Sequence, residues 1–251
     1  MEDVVGSLLR RGLAAGAAVL GIEAAYAVLK PSPHQPDFDP SGVFGATTNP
    51  ELRVAVLGDS SVTAPGVSGP EEIWVQRICR RLAVDYRVIL ESFAVGGSTA
   101  GDLITGQMER ALAFQPDVVF VSVGANDAIK GVSRRRFEQN LDYLIGRLKD
   151  SGAAVIQSGV GDLGSIPRLY PPLSNLVSKR ALSFDQTHWR VAERHGTDVV
   201  HQRSDDREPW YKDRNLWSAD LFHVSAAGHE RWANTAWKTV ERVVNGHRGS
   251  R

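Results

Sequence analysis

One cysteine, Cys79, is all the thiol that this 251-residue chain possesses. A single cysteine excludes an internal disulfide and a thiolate metal cluster. It leaves Cys79, within Ile78-Cys79-Arg80-Arg81-Leu82, as a small filler on the apolar side of a helix. Net charge is lacking as well, because 29 Lys plus Arg cancel 29 Asp plus Glu. No basic surplus therefore points to nucleic acid as a partner, and the run Arg134-Arg135-Arg136 reads as a solvated helix face. Internal repeats and coiled-coil heptads are missing. The pair His223 and His229 lacks both i, i+4 spacing and clustered carboxylates, so neither a metal nor a cofactor is expected. What remains is ordinary for a globular chain: 42% apolar and 23% charged residues, long enough for one domain with a full core plus an appendage.

Long hydrophobic runs are nearly absent too. The exception is Gly12 to Ile22, preceded by Arg10-Arg11, interrupted by Glu23 and resumed through Leu29. Three readings of residues 1–30 compete. The basic pair, the short apolar stretch and the small residues of Ala25-Tyr26-Ala27 are like an export signal. Through Leu29 the segment also reads as a short membrane anchor. The third reading is an amphipathic helix lying on the domain or on a membrane surface. Glu2 and Asp3 oppose a clean signal. Export or anchoring is favoured over a cytoplasmic location, and residues 12–29 are the segment for membrane association. Residues 31–50 carry Pro31, Pro33, Pro36, Pro40 and Pro50 and read as an extended linker. The main domain is expected over residues 51–245, with a tail over 246–251.

From residue 51 strand-like and helix-like stretches alternate. Arg53–Leu57, Arg87–Ser92, Asp117–Val123, Ala153–Ser158 and Thr197–His201 are short and mostly apolar on both faces, as parallel strands covered by helices should be. Helical spacing runs near 71–83, 100–114, 133–150, 174–195 and 225–244. This alternation predicts an α/β fold with a parallel sheet, whose binding crevice opens at the carboxyl ends of the strands.

The chemistry-bearing residues fall at those ends. Ser60 follows the first strand in Gly58-Asp59-Ser60-Ser61, and a serine hydroxyl becomes a nucleophile only beside a base. His223 can act as that base, with Asp220 three residues earlier to orient the ring. Acyl transfer also needs donors for the oxyanion. Gly97, in Gly96-Gly97-Ser98-Thr99, and Asn126, in Gly124-Ala125-Asn126-Asp127, follow the second and third strands. Taken singly, each motif has a structural reading as a turn or cap residue.

Taken together the four blocks resemble the SGNH hydrolases, the GDSL esterase/lipase group, over about residues 53 to 240. Ser60, Gly97, Asn126 and His223 occupy the positions of the family's serine, glycine, asparagine and histidine, in family order. Three loop residues depart from the pattern: Ser61 where leucine is common, Ser92 where asparagine often opens the glycine block, and Val224 where proline often follows the histidine. None removes a catalytic group. The resemblance implies a three-layer α/β/α sandwich of flavodoxin-like form, with a mainly parallel five-stranded sheet. It also implies acyl-serine chemistry on carboxylic esters or thioesters, with Ser60, Gly97 and Asn126 forming the oxyanion hole. Small-molecule esters, lipids or acylated glycans are the expected substrates. Arg168 and Tyr170 in the loop after the fourth strand, and Trp210 and Trp217 before Asp220, are candidate substrate contacts. Two other functions fit the same residues: an acyltransferase delivering the acyl group to a sugar hydroxyl, and a binding module that has kept the fold without turnover.

Overall fold

The computed structural model describes residues 16, 18–27, 29–31, 33, 35–200 and 207–248. Arg10-Arg11, residues 12–15 of the apolar segment, His201 of the expected last strand and the final residues of the tail lie outside them. An N-terminal helix, α1, takes in residues 16, 18–27 and 29 of those described. The strands are β1 (Gly42–Phe44), β2 (Glu51–Gly58), β3 (Arg87–Ser92), β4 (Val118–Ser122), β5 (Ala154–Ser158) and β6 (Asp198–Val200). They form one six-stranded sheet in the order β1-β3-β2-β4-β5-β6. Every pairing is parallel except that of β1 with β3.

The sheet thus has one strand more than the five expected. Gly42–Phe44, within the stretch read as linker, runs antiparallel along β3 at the sheet's edge. The sequence pattern hides it because only three residues pair and Val43 is exposed.

Successive strand residues serve opposite faces. Val54, Val56, Phe120 and Ile156 pack with α3 (Trp74–Leu82) and with α10 (Ala226–Arg248), the long helix after the short α9 (Glu208–Lys212), and Cys79 is one of the buried fillers there. Ala55, Leu57, Val119, Val121 and Val155 pack on the other side, with α7 (Arg134–Asp150) and α8 (Leu173–His195). Burial on both sides explains why the strands read as continuous apolar runs, and the result is a three-layer α/β/α sandwich.

The expected helix over 100–114 is broken. A short α4 (Ala100–Asp102) gives way to a π-turn over Leu103–Gln107 before α5 (Met108–Ala113). Single π-turns inside helices occur frequently at functional sites. This one brings Gln107 to the carboxyl end of β2.

Candidate active site

Asp59 directly follows β2 and caps the short helix α2 (Ser60–Thr63), its carboxylate accepting the Ser61 N–H at 2.9 Å. Ser60 is the first residue of that helix. Gly58 has no room for a side chain: a Cβ would lie 2.7 Å from Val62 Cγ2 and 2.8 Å from the Ser122 carbonyl. Ser61, where the family commonly has leucine, shares a 2.7 Å hydrogen bond with the Ser122 hydroxyl of β4, and its carbonyl accepts from Trp74 Nε1 at 2.9 Å. The polar substitution is therefore fully used. It pins α2 to the neighbouring strand.

Asp220 and His223 belong to a turn closed by an antiparallel bridge between Trp217 and Val224 and by the Ser218 N–H donating to the His223 carbonyl at 2.8 Å. Leu221 at the tip adopts φ +61°, a left-handed conformation that costs a non-glycine residue about 1 kcal/mol or more. The turn holds it because Asp220 gathers four donors. Oδ1 accepts from the Ser218 hydroxyl at 2.6 Å, the Phe222 N–H at 2.8 Å and the His223 N–H at 2.9 Å. Oδ2 lies 2.6 Å from His223 Nδ1. Burial works to raise the Asp220 carboxyl, but the hydrogen bonds from His223, Ser218 and the two amides outweigh it and hold it well below the usual carboxylate range. An ionised Asp220 keeps the proton on Nδ1 and turns Nε2 into the acceptor. Gly228 in the first turn of α10 lets that helix approach, since a Cβ there would lie 2.3 Å from Val224 Cγ1 and 2.6 Å from the Leu216 carbonyl.

The two oxyanion candidates sit on loops with glycine geometry. Gly124, at φ +119°, turns the chain from β4 into α6 (Ala125–Ile129). The Asn126 side chain donates to Asp59 Oδ2 at 3.0 Å, which leaves its second amide hydrogen for another acceptor. Gly97 has φ +79°, and its carbonyl accepts from Lys130 Nζ at 2.6 Å.

A cavity of about 140 Å³ opens along this edge, and Ser60, Asn126 and His223 all line it. Trp210 and Trp217 line it too, their rings 5.6 Å apart and edge-on, with the Trp232 ring tilted 5.9 Å from that of Trp210. Gly97 is not among the lining residues, nor are Arg168 and Tyr170.

Arg168 is instead buried and committed to backbone carbonyls. Nε donates to Ala27 at 2.6 Å, Nη2 to Lys30, and Nη1 to Asp220 at 3.2 Å, while its own N–H donates to Leu221 at 3.1 Å. Tyr170 lies half-exposed beside Tyr26, ring centres 5.9 Å apart. Both expected substrate contacts thus belong to the seat of α1. Glu23, which interrupts the apolar run in the sequence, accepts the Leu173 N–H at the start of α8 at 3.0 Å.

Sequence reasoning passed over several supporting residues. Buried Gln107 brackets Gly58, accepting its N–H and donating to its carbonyl at 2.9 Å each, and donates to Ser98 Oγ at 3.2 Å. It ties the serine loop to the glycine loop. Asp127, wholly buried, accepts the Ala100 N–H at 3.0 Å and so joins the asparagine loop to α4. Burial pushes its carboxyl up to about 6 despite that bond, with the charges of Asp59 and Asp102 adding to the rise. His229 also lines the cavity. Its Nδ1 accepts from the Trp74 N–H at 3.4 Å, and burial lowers the imidazole to about 3, so it is neutral.

Comparison with known proteins speaks to the family and the fold. The model of the GDSL-like Lipase/Acylhydrolase family matches residues 56–231, a span that begins after α1 and β1. Among curated proteins, the chain is 26% identical over 201 residues to esterase TesA of Pseudomonas aeruginosa, across 75% of this chain and 88% of that one. It is 30% identical over 138 residues to the GDSL-like esterase Rv1075c of Mycobacterium tuberculosis, across 53% of this chain and 43% of that one. Among solved structures, TesA matches with a TM-score of 0.64 at 23% identity, covering 76% of this chain and 99% of that one. An acetylxylan esterase of Geobacillus stearothermophilus matches with a TM-score of 0.63 at 17% identity, covering 77% and 95%. Both structural likenesses speak to the fold.

Proposed function

Because the chain belongs to the GDSL-like lipase/acylhydrolase family, we propose that it is a serine esterase that hydrolyses carboxylic esters or thioesters through an acyl-Ser60 intermediate. The observation that carries this reading is His223, held by Asp220 at 2.6 Å and lining the same cavity as Ser60. His223 Nε2 takes the proton of Ser60 Oγ as that oxygen attacks the ester carbonyl. Asp220 offsets the charge that appears on the imidazole. The Ser60 and Gly97 N–H groups and the free hydrogen of the Asn126 amide receive the oxyanion. As the tetrahedral adduct collapses, the leaving alkoxide or thiolate takes the proton from His223. Water, activated by the same imidazole, then releases the acid and restores Ser60. This sequence calls for no cofactor.

The apolar side of the cavity, with Trp210, Trp217, Val160 and Ile166, suits an uncharged acyl or alcohol group. The Trp210–Trp217 corner also supports a second reading, since aromatic faces stack on sugar rings and a sugar hydroxyl can replace water in the second step. Faster release of the first product when a sugar acceptor is added, with acylated sugar formed, selects transfer over hydrolysis.

Ser60→Ala is the test of the main reading. The variant should fold normally and lose all turnover of a short p-nitrophenyl ester, and a fluorophosphonate probe should label Ser60 in the parent alone. Unchanged hydrolysis by the variant sinks the assignment. Absence of both labelling and turnover in the parent selects the non-catalytic binding module.

A further inference from the structure

The N-terminal helix is fastened to the domain along one face. Leu20, Glu23, Ala27 and Lys30, spaced 3-4-3, turn inward and are partly buried. Glu23 meets the start of α8, and Arg168 takes the carbonyls of Ala27 and Lys30. The rest of the described helix faces solvent without a charge. Its exposed positions are Gly16, Ala18, Val19, Gly21, Ile22, Ala24, Ala25, Tyr26 and Leu29. Val19, Ile22, Tyr26 and Leu29 repeat the 3-4-3 spacing, so they line one flank, with Ile22 70% and Leu29 76% exposed. Tyr170 extends this flank across the Tyr26 ring contact. A helix on a soluble surface ordinarily carries charge on its outer side, and a contiguous apolar patch marks a contact site.

We propose that this outer face is a docking surface for an anionic lipid membrane, in which α1 lies in the plane of the headgroups beside the catalytic turn. Three observations select lipid over other occupants. The uncharged arc takes in all of the described helix that the domain leaves exposed, which is what an in-plane helix presents to the headgroup–acyl boundary. A row of four side chains with Tyr170 is small against the roughly 800 Å² per partner of a stable protein interface, which disfavours a second copy of the chain. The local charge is cationic: of the two charged residues in the described stretch of the helix and its end, Glu23 is taken up by α8, and Lys30 Nζ lies over the exposed Tyr26 ring at 5.4 Å. That balance complements anionic headgroups. No helix among the described residues is long and apolar enough to cross a membrane. Arg168 also holds the Asp220 carbonyl, so the membrane would lie next to the catalytic turn. The proposal goes beyond the esterase reading and stands without it.

The test is co-sedimentation of the full chain with phosphatidylcholine vesicles made with and without phosphatidylglycerol, beside the double variant Ile22→Ser/Leu29→Ser. Light scattering without lipid follows oligomeric state. The wild type should sediment with the anionic vesicles, weakly with the neutral ones, and less so in high salt. The variant should bind at least about tenfold less while keeping wild-type turnover of a water-soluble ester, because both replaced side chains are exposed and remote from the cavity lining. Three results overturn the proposal: wild type left in the supernatant, equal vesicle binding by the variant, or a wild-type dimer that the variant dissolves. Loss of ester turnover in both proteins alike strikes the esterase reading and leaves the lipid result intact.

Discussion

Arg168 Nη1 lies 3.2 Å from the carbonyl oxygen of Asp220, and the Arg168 N–H lies 3.1 Å from that of Leu221. One residue thus holds two consecutive peptides of the turn that carries His223, from a loop 52 positions away. The same guanidinium holds the C-terminal carbonyls of α1. Arg168 does not line the cavity, and we propose that it is a positioning residue that acts by fixing where Asp220 points.

Arg168→Gln should therefore lower kcat by about ten- to a hundredfold, the scale at which a small displacement of catalytic groups tells, with KM little changed. Arg168→Lys should not rescue it, because one ammonium cannot serve three carbonyls in different directions as a planar fork does. Steady-state kinetics on a soluble ester separates the outcomes. A rise in KM at constant kcat returns Arg168 to the role of substrate contact.

The sheet was legible in the sequence wherever a strand is covered on both faces, since Val54–Leu57 and Val118–Val121 admit little else. The four loops were legible because their residue types are constrained by chemistry and fall just after strands. The supports were not. Nothing in the local sequence tells that Gln107 will reach Gly58, because a π-turn sets its direction. Arg168 and Glu23 read as isolated charges because their partners are up to 150 positions away along the chain. Charge alone cannot distinguish an arginine facing a substrate from one facing a helix end.

Asn126 has two roles that mutation can separate. Its amide is proposed to face the oxyanion, and it also donates to buried Asp59 at 3.0 Å. Burial pushes the Asp59 carboxyl up, while the Ser61 and Asn126 hydrogen bonds oppose the rise. Asn126→Ala should lower turnover by about a hundred- to a thousandfold and also lower the melting temperature, because a buried carboxylate loses a donor. Adding Asp59→Asn should restore part of the stability and none of the turnover. Recovery of turnover in the double variant removes Asn126 from the oxyanion hole.

Asp127 makes stability depend on pH in an unusual direction for an aspartate. Its folded-state carboxyl titrates near 6, above the roughly 3.9 of an unfolded chain, so the native state holds the proton more tightly. The stabilisation is fully present below about pH 4 and is lost as pH rises through about 6. Oδ1 has no partner among the described residues, which is where an ionised form is penalised. Asp127→Asn should flatten the fall in melting temperature between pH 4 and 7. An unchanged slope means that Asp127 is ionised at little penalty in the native protein.

Asp220 works in the opposite sense. Its native carboxyl lies below the usual range, so its contribution is present above about pH 4 and is lost as pH falls through the depressed native value. Asp220→Asn should then melt below the wild type at pH 7, with the gap closing in acid. The same change alters the His223 tautomer: an amide can donate to Nδ1, which leaves the hydrogen on Nε2, where Ser60 needs an acceptor. Turnover should fall by about 10⁴-fold, as in serine hydrolases that lose this carboxylate, while KM stays within a few-fold. The two effects share one contact, the 2.6 Å bond to Nδ1, yet they part with temperature at neutral pH, since cooling restores a loosened turn and does not move a proton between the ring nitrogens. Turnover that returns when the variant is assayed well below its melting range ties the loss to weakened folding of the turn, and turnover that stays absent there assigns it to the imidazole.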